Sequence, residues 1–333
     1  MSDPVVVEVL RGSRVESRHC AAVAVADADG ATIFAIGDVA MPHFPRSAIK
    51  ALQALALVEH GAADRYGLDE VDLALACASH SGEPAHVAGV ERFLAKAGFD
   101  ASALRCGAHW PLSQQAMIDL ARTGAPSALH NNCSGKHAGF LCLACVMASD
   151  HESYWRPEHP VQRAVRAVLE DLTGSGLGED RRAIDGCSVP TWAVPLQNLA
   201  RAFAKFGTGQ GLAPERARAA ARLRRACARK PWFVAGSGRF CTEIMETFGE
   251  RVFVKIGAEG VYCGALPEQG LGIAIKCDDG AGRAAQAIMA ALILRFLPAD
   301  DAARAVLDRF VHPTLTNWNG FAVGALRLTA ALG

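Results

Sequence analysis

The sequence lacks any apolar run approaching the roughly 20 residues that span a bilayer, so it offers no membrane segment. It also lacks a charge excess of either sign, because 34 Lys and Arg balance 34 Asp and Glu. A chain without a net field has no general attraction for nucleic acid or an anionic membrane. Framework spacing is missing among the cysteines, which number eleven and are scattered. An odd, unpatterned set in a chain this size points to reduced thiols and a cytoplasmic home. Residues 1–10 lack the charged-then-apolar layout and small-residue cleavage site of a signal peptide. No internal repeat or low-complexity linker interrupts the 333 residues, which predicts one domain over 1–333.

What is present is a well-buried globule with 51% hydrophobic residues. Strand-like runs gather at the two ends: Val5–Leu10, Ala21–Ala26 and Thr32–Ile36, then Val252–Ile256, Val261–Ala265 and Leu271–Cys277. Between them the period is helical, over Ala48–His60, Ala85–Ala97, Gly139–Ala148, Val161–Leu172, Leu196–Phe206, Pro214–Ala228 and Arg239–Phe248. Arg283–Phe296 and Ala302–Phe310 follow the last strands. The fold class expected is therefore mixed α/β, of the α+β kind. An antiparallel sheet from about 1–40 and 250–280 would be flanked by helices, with a largely helical region over about 85–248. Val71–Cys77 reads as a short strand or a buried connector, and the basic stretch Arg216–Lys230 as the solvated face of an Ala/Arg helix.

Several segments carry chemistry-bearing side chains. Ser47-Ala-Ile-Lys50 opens a helix, and its i, i+3 spacing puts hydroxyl and amine one turn apart at the end where N–H groups point outward. A neutral Lys50 could take the Ser47 proton; the bland alternative is a capping serine before a solvated lysine. Cys77-Ala-Ser79-His80-Ser81 is a polar burst after an apolar run, and Lys255 is the lone charge inside an apolar strand. That lysine is either an edge gatekeeper or an interior group needing a partner. A lysine base must be largely neutral near pH 7, which opposes its ordinary pKa by about 4 kcal/mol. Burial and neighbouring like charges supply that, and Lys50, Lys136 and Lys255 all stand at special positions.

The densest run of reactive groups is Asn131-Asn-Cys133-Ser-Gly-Lys136-His137, directly before an apolar helix. It could host a nucleophile, a metal or an anion. Cys133 and Cys187 could meet and hold zinc with a third ligand. Cys142 and Cys145 form a C-x-x-C, but inside the apolar helix, where core packing is the better reading. Gly236-Ser-Gly-Arg-Phe-Cys241 lacks a Walker lysine and reads as a close-approach backbone rather than a phosphate loop.

Together these segments resemble the asparaginase II family, the rhizobial-type L-asparaginases, over nearly the whole chain. The resemblance is carried by Arg46-Ser47-Ala-Ile-Lys50, Cys77-Ala-Ser79-His80-Ser81, Arg105-Cys106-Gly107, Asn132–His137, Asp185-Gly186-Cys187, Gly238-Arg239-Phe240-Cys241 and Lys255-Ile-Gly257. It implies a homodimer with a fold similar to glutaminases and serine β-lactamases. It further implies two Ser–Lys pairs, Ser47 with Lys50 and Ser79 with Lys255, and a zinc held by Cys133, Lys136 and Cys187 that aids substrate binding rather than bond breaking. Arg46, His137, Asp185 and Cys241 fall at the pocket too. The chain departs from the rhizobial form at Ser237 and Phe240, where that form carries Glu and Tyr.

The activity this implies is hydrolysis of L-asparagine to L-aspartate and ammonia through an acyl-enzyme. Three alternatives remain open from sequence. One is a penicillin-recognising Ser–Lys acyl hydrolase, although Lys255-Ile-Gly257 lacks the hydroxyl of its usual late-strand motif. Another is thiol hydrolysis by Cys133 with His137. The third is a non-enzymatic zinc or amino-acid sensor that kept the pocket.

Overall fold

Val5–Arg11 (β1) and Arg14–Asp27 (β2) form a hairpin across Gly12, whose φ of +56° suits glycine in a tight turn. The computed structural model describes residues 3–332. Two compact units are built from it: residues 3–48, Val194–Gly211 and 251–332 make one, Ile49–Ala193 and Leu212–Glu250 the other.

The first unit holds an eight-stranded antiparallel sheet. Its other strands are Thr32–Ile36 (β3), Phe253–Ile256 (β4), Val261–Leu266 (β5), Leu271–Cys277 (β6), Thr314–Thr316 (β7) and Ala322–Leu328 (β8). The order is β7-β8-β1-β2-β6-β5-β4, with β3 on β2. The first and second groups of strands thus meet along β2 and β6, as strand-like runs at both chain ends lead one to expect.

Residues opposite one another in the sheet share a face. Gly272 of β6 lies opposite Ala265 of β5, and a Cβ on Gly272 would overlap the Ala200 carbonyl of helix Leu196–Thr208. On the other face, Gly264, opposite Ile273, meets Met289 of helix Gly282–Phe296. One helix therefore covers each side, and β5 is buried at every residue. The hairpin β7–β8 was not expected from sequence. Its strands are half-exposed or exposed except at Leu326, and pairing makes them strands: β8 with β1 and β7 with β8.

The second unit is mainly helical. Val71–Cys77 is neither strand nor connector; it lies in helix Glu70–Ala76. Asp69 accepts from the Val71 and Asp72 N–H groups while Asp72 accepts from that of Asp69, a reciprocal cap that starts a helix. The expected helix Ala48–His60 is a 3₁₀ turn, Arg46–Ile49, followed by Lys50–Gln53 and Leu55–Glu59. Helix Gln114–Thr123 was missed, because its apolar side chains do not face a core and none of its residues is buried.

The basic helix, Pro214–Arg229, is less free than its composition suggests. Arg216 grips Glu59 with two parallel bonds of 2.6 and 2.8 Å and also pairs with Asp171. Arg222 pairs with Asp64 and Arg229 with Glu70. Charge pairing within the protein occupies these arginines. Cys142 is buried and Cys145 half-buried inside helix Ser134–Val146, as packing residues. Among the described residues no helix is long and apolar enough to cross a membrane.

Candidate active site

Ser47 sits in the 3₁₀ turn Arg46–Ile49, half-buried, in the first unit. The preceding Arg46 has φ +51°, a left-handed conformation rare for a side-chain-bearing residue and frequent where a functional group is presented on a sharp turn. Gly257, at the end of β4, packs on the same segment: a Cβ there would lie 2.7 Å from the Pro45 carbonyl and 3.3 Å from Ala48 Cβ. The glycine of Lys255-Ile-Gly257 is thus required by a close approach to the Ser47 turn.

Lys255 resolves as an interior residue. Although β4 ends the sheet, the side chain is fully buried. It points to the face covered by helix Leu196–Thr208, where Phe253 stacks on Phe203 and meets Phe206 edge-on. Its Nζ donates to the Ile256 carbonyl at 2.9 Å.

In the second unit Lys50 follows directly on the 3₁₀ turn and is fully buried. Its Nζ lies 2.5 Å from the Ala78 carbonyl, 3.1 Å from Ser79 Oγ and 3.1 Å from the Asn132 carbonyl. Sequence spacing pairs Lys50 with Ser47; the hydrogen bond seen is to Ser79. Three segments far apart in the chain converge on one amine.

The polar burst after Cys77 is held by the interior. His80 Nδ1 accepts from the Gly82 N–H, so its Nε2–H donates to Ser134 Oγ at 2.9 Å, and the Ser134 hydroxyl donates to the Leu129 carbonyl. Ser81 Oγ donates to the Ala235 carbonyl and accepts from Arg239. Gly236, with φ +123°, leaves no room for a Cβ beside Ser81, so the glycine-rich loop is a close-approach backbone as read from sequence. Ser237 gives its N–H and its hydroxyl to the Glu83 carboxylate, at 2.9 and 2.8 Å. Cys241 is buried in the first turn of the helix that follows, Phe240–Phe248.

The run Asn131–His137 is anchored at each step. Asn131 donates to the Cys106 and Gly107 carbonyls and accepts from the Cys133 N–H, which ties the loop to Arg105-Cys106-Gly107. Gly135 lies under Leu75, whose carbonyl a Cβ would overlap. Cys187 arrives from a tight hairpin between Arg182–Ile184 and Pro190–Trp192, with Asp185 half-buried at its base and Ser188 at φ +78°.

Lys136 Nζ lies 3.0 Å from Cys187 Sγ. Cys187 is driven toward thiolate by a hydrogen bond from Cys133 against the cost of burial, with the Lys136 charge helping. Cys133 moves the other way, its proton retained by that same bond and by burial. Burial opposes the Lys136 ammonium, yet the neighbouring cysteines, Cys187 first, hold its pKa above the usual lysine range. These shifts favour a thiol at Cys133, a thiolate at Cys187 and an ammonium at Lys136.

As donors for a metal, two sulfurs and one amine are a nitrogen–sulfur set that suits zinc and leaves a fourth position open. Among the described residues no three His, Cys, Asp or Glu side chains gather for a metal, so this set depends on the Lys136 amine. Its donor chemistry fits: Cys133, Lys136 and Cys187 would hold the metal once their donor atoms had given up their protons.

His137 is fully buried, its Nδ1 2.7 Å from Tyr154 Oη, while its Nε2 has no hydrogen-bond partner. Burial, aided by the Lys136 charge, pushes its pKa down to about 3. Cys133 Sγ meets Asn132 Oδ1 and Cys187, so Cys133 and His137 do not form the thiol–imidazole pair of a cysteine hydrolase. Tyr154 was not singled out from sequence: no spacing marks it, and it lies in an irregular, polar stretch.

Two buried histidines set a pH dependence. Burial lowers both His80 and His137, so each folds neutral but takes up a proton when unfolded below its ordinary pKa of about 6.5. Their contribution is intact above pH ~6.5 and is lost as pH falls toward the folded values. Urea titrations of metal-free protein are expected to show stability falling by about 1.4 kcal/mol per pH unit per histidine below pH ~6. An unchanged midpoint between pH 7 and 5 contradicts this.

The family model of L-asparaginase II matches residues 7–328. A search of the curated proteins found no match. Among solved structures, Mglu is 15% identical with a TM-score of 0.45, over 84% of this chain and 69% of that one. Its glutamate form is 14% identical with a TM-score of 0.45, over 84% and 62%. A β-lactamase from Mycobacterium bovis is 16% identical with a TM-score of 0.37, over 87% and 94%.

Proposed function

The chain belongs to the L-asparaginase II family, and from that premise we propose that it hydrolyses the side-chain amide of L-asparagine to L-aspartate and ammonia. The family makes it an amidohydrolase; the substrate and the roles below are our reading. The observation that carries it is the buried Lys50 amine, 3.1 Å from Ser79 Oγ and braced by two carbonyls.

Ser47 attacks the amide carbon and Lys50 receives its proton. Lys50 Nζ donates to the Ala78 and Asn132 carbonyls and to Ser79 Oγ, which holds the amine in place beside a hydroxyl. Ser79 and Lys255 then relay a proton to the leaving nitrogen, so that ammonia departs and an ester on Ser47 remains. Water, deprotonated through the same groups, attacks the ester, and Ser47 regains its proton as aspartate leaves. N–H groups beside Ser47 stabilise the oxyanion. Arg46, His137, Asp185 and Cys241 bind the amino-acid end of the substrate.

Cys133, Lys136 and Cys187 would hold a zinc ion. When bound, it supplies a Lewis-acidic contact for the substrate's polar end. Cys187→Ser removes the anchoring thiolate, so zinc content by elemental analysis is expected to fall well below one per chain. KM for L-asparagine should rise about tenfold or more, while kcat changes less. Full zinc retention contradicts the ligand assignment, and an equal loss confined to kcat contradicts a binding role.

We assign a cytoplasmic homodimer. Helix Gln114–Thr123 has no buried residue, and Met117 and Ile118 on it, with Trp110 and Leu112 before it, are exposed apolar side chains that a second copy would cover. Sedimentation equilibrium checks the dimer. Ammonia release from L-asparagine and L-glutamine, with and without added zinc, tests the activity. Preference between the amides turns on one methylene, worth about 1–3 kcal/mol.

A further inference from the structure

His137 Nε2 is a buried polar atom without a partner, and such atoms are rare enough in folded proteins to need a reason. The protonation of the ring follows from its neighbour. Tyr154 is fully buried and its Oη accepts the Arg105 N–H at 2.9 Å. Its other bond is to His137 Nδ1, at 2.7 Å. The hydroxyl proton must go somewhere, and Nδ1 is the acceptor in reach. With Nδ1 accepting, the single proton of a neutral imidazole sits on Nε2. The opposite tautomer would strand the Tyr154 O–H as well as the Nε2 lone pair, two unsatisfied groups in place of one.

His137 stands in the first turn of helix Ser134–Val146, directly after Lys136, whose Nζ lies 3.0 Å from Cys187 Sγ in the candidate site. The unpartnered N–H is therefore a buried donor beside the candidate site, with no protein acceptor among the described residues. We propose that Tyr154 is a positioning residue: its hydroxyl fixes the Nε2–H tautomer of His137, making that buried N–H the donor to a carboxylate or carbonyl oxygen of the substrate. This rests on the amidohydrolase reading for the identity of the substrate, but not for the tautomer. It also excludes His137 from the metal set, because a protonated Nε2 has no lone pair for zinc.

The test is long-range ¹⁵N–¹H correlation of the imidazoles, with the His137 signals assigned by their loss in His137→Gln. Wild type is expected to show His137 protonated at Nε2 and bare at Nδ1. In Tyr154→Phe, which keeps the ring and removes the donor, the Nδ1–H form should appear. KM for L-asparagine should rise about tenfold in that variant with kcat within about twofold. Tyr154→Phe in the His137→Gln background should add no further increase. An Nδ1–H tautomer in wild type overturns the proposal, as does an unchanged tautomer in Tyr154→Phe or KM effects that multiply in the double variant. Should Tyr154→Phe fail to fold, the wild-type tautomer and the KM of His137→Gln decide. If no amide is hydrolysed, the amidohydrolase reading fails while the tautomer spectra still judge this one.

Discussion

Ser47→Ala is expected to lower ammonia release from L-asparagine by on the order of 10⁴-fold or more, leaving the folded protein intact. The large effect follows from covalent catalysis: removing a nucleophile leaves only what binding and oxyanion donors contribute. Folding is spared because Ser47 is half-buried on a turn whose close packing is made by Pro45, Ala48 and Gly257 rather than by the hydroxyl. The control is Cys241→Ala, a group placed at the substrate and not in bond breaking, which should keep part of the activity. Coupled ammonia assays alongside circular dichroism make the measurement. Full activity in Ser47→Ala would sink the assignment of the nucleophile.

Lys50→Met should cost about 10²–10⁴-fold in kcat, the span of a lost general base. The substitution keeps the length and apolar body of the side chain but withdraws hydrogen bonds from the Ala78 and Asn132 carbonyls and from Ser79. Two stability terms oppose each other. Unpaired buried carbonyls each cost about 1–3 kcal/mol, whereas removing a fully buried amine relieves its desolvation. The activity loss should therefore far exceed the stability loss in urea. Lys50→Arg sharpens the test, because a guanidinium stays charged and cannot accept the serine proton; it should be as inactive as Lys50→Met. Substantial turnover by the arginine variant would show that the proton goes elsewhere.

Much of this was legible from the amino acids because the information is local. Strand-like runs located six of the eight sheet strands, with Thr32–Ile36 and Leu271–Cys277 matching at both ends. The helix expected over Gly139–Ala148 already begins at Ser134, so the second half of the polar run is helical rather than a loop before it. The two strands that were missed, Thr314–Thr316 and Ala322–Leu328, gain their order from a neighbour: Gly324 sits opposite Arg11, too close to the Leu10 carbonyl for any side chain. Val71–Cys77 was misread because an apolar run of that length fits strand or helix equally, and the deciding signal was the Asp69–Asp72 cap just before it.

The side-chain chemistry divides in the same way. Types and spacings along the chain determined which groups are available: a Ser47–Lys50 pair, a lysine inside an apolar strand, and thiols beside an amine at a helix start. Tertiary structure decided which of them meet. Lys50 finds Ser79 and Asn132 because separate segments fold onto one point, Lys255 is interior because a helix covers its face of an edge strand, and His137 presents an N–H because Tyr154 occupies its other nitrogen. Hydrogen bonds act over about 3 Å, so partners distant in the chain are chosen only when packing brings them within that range.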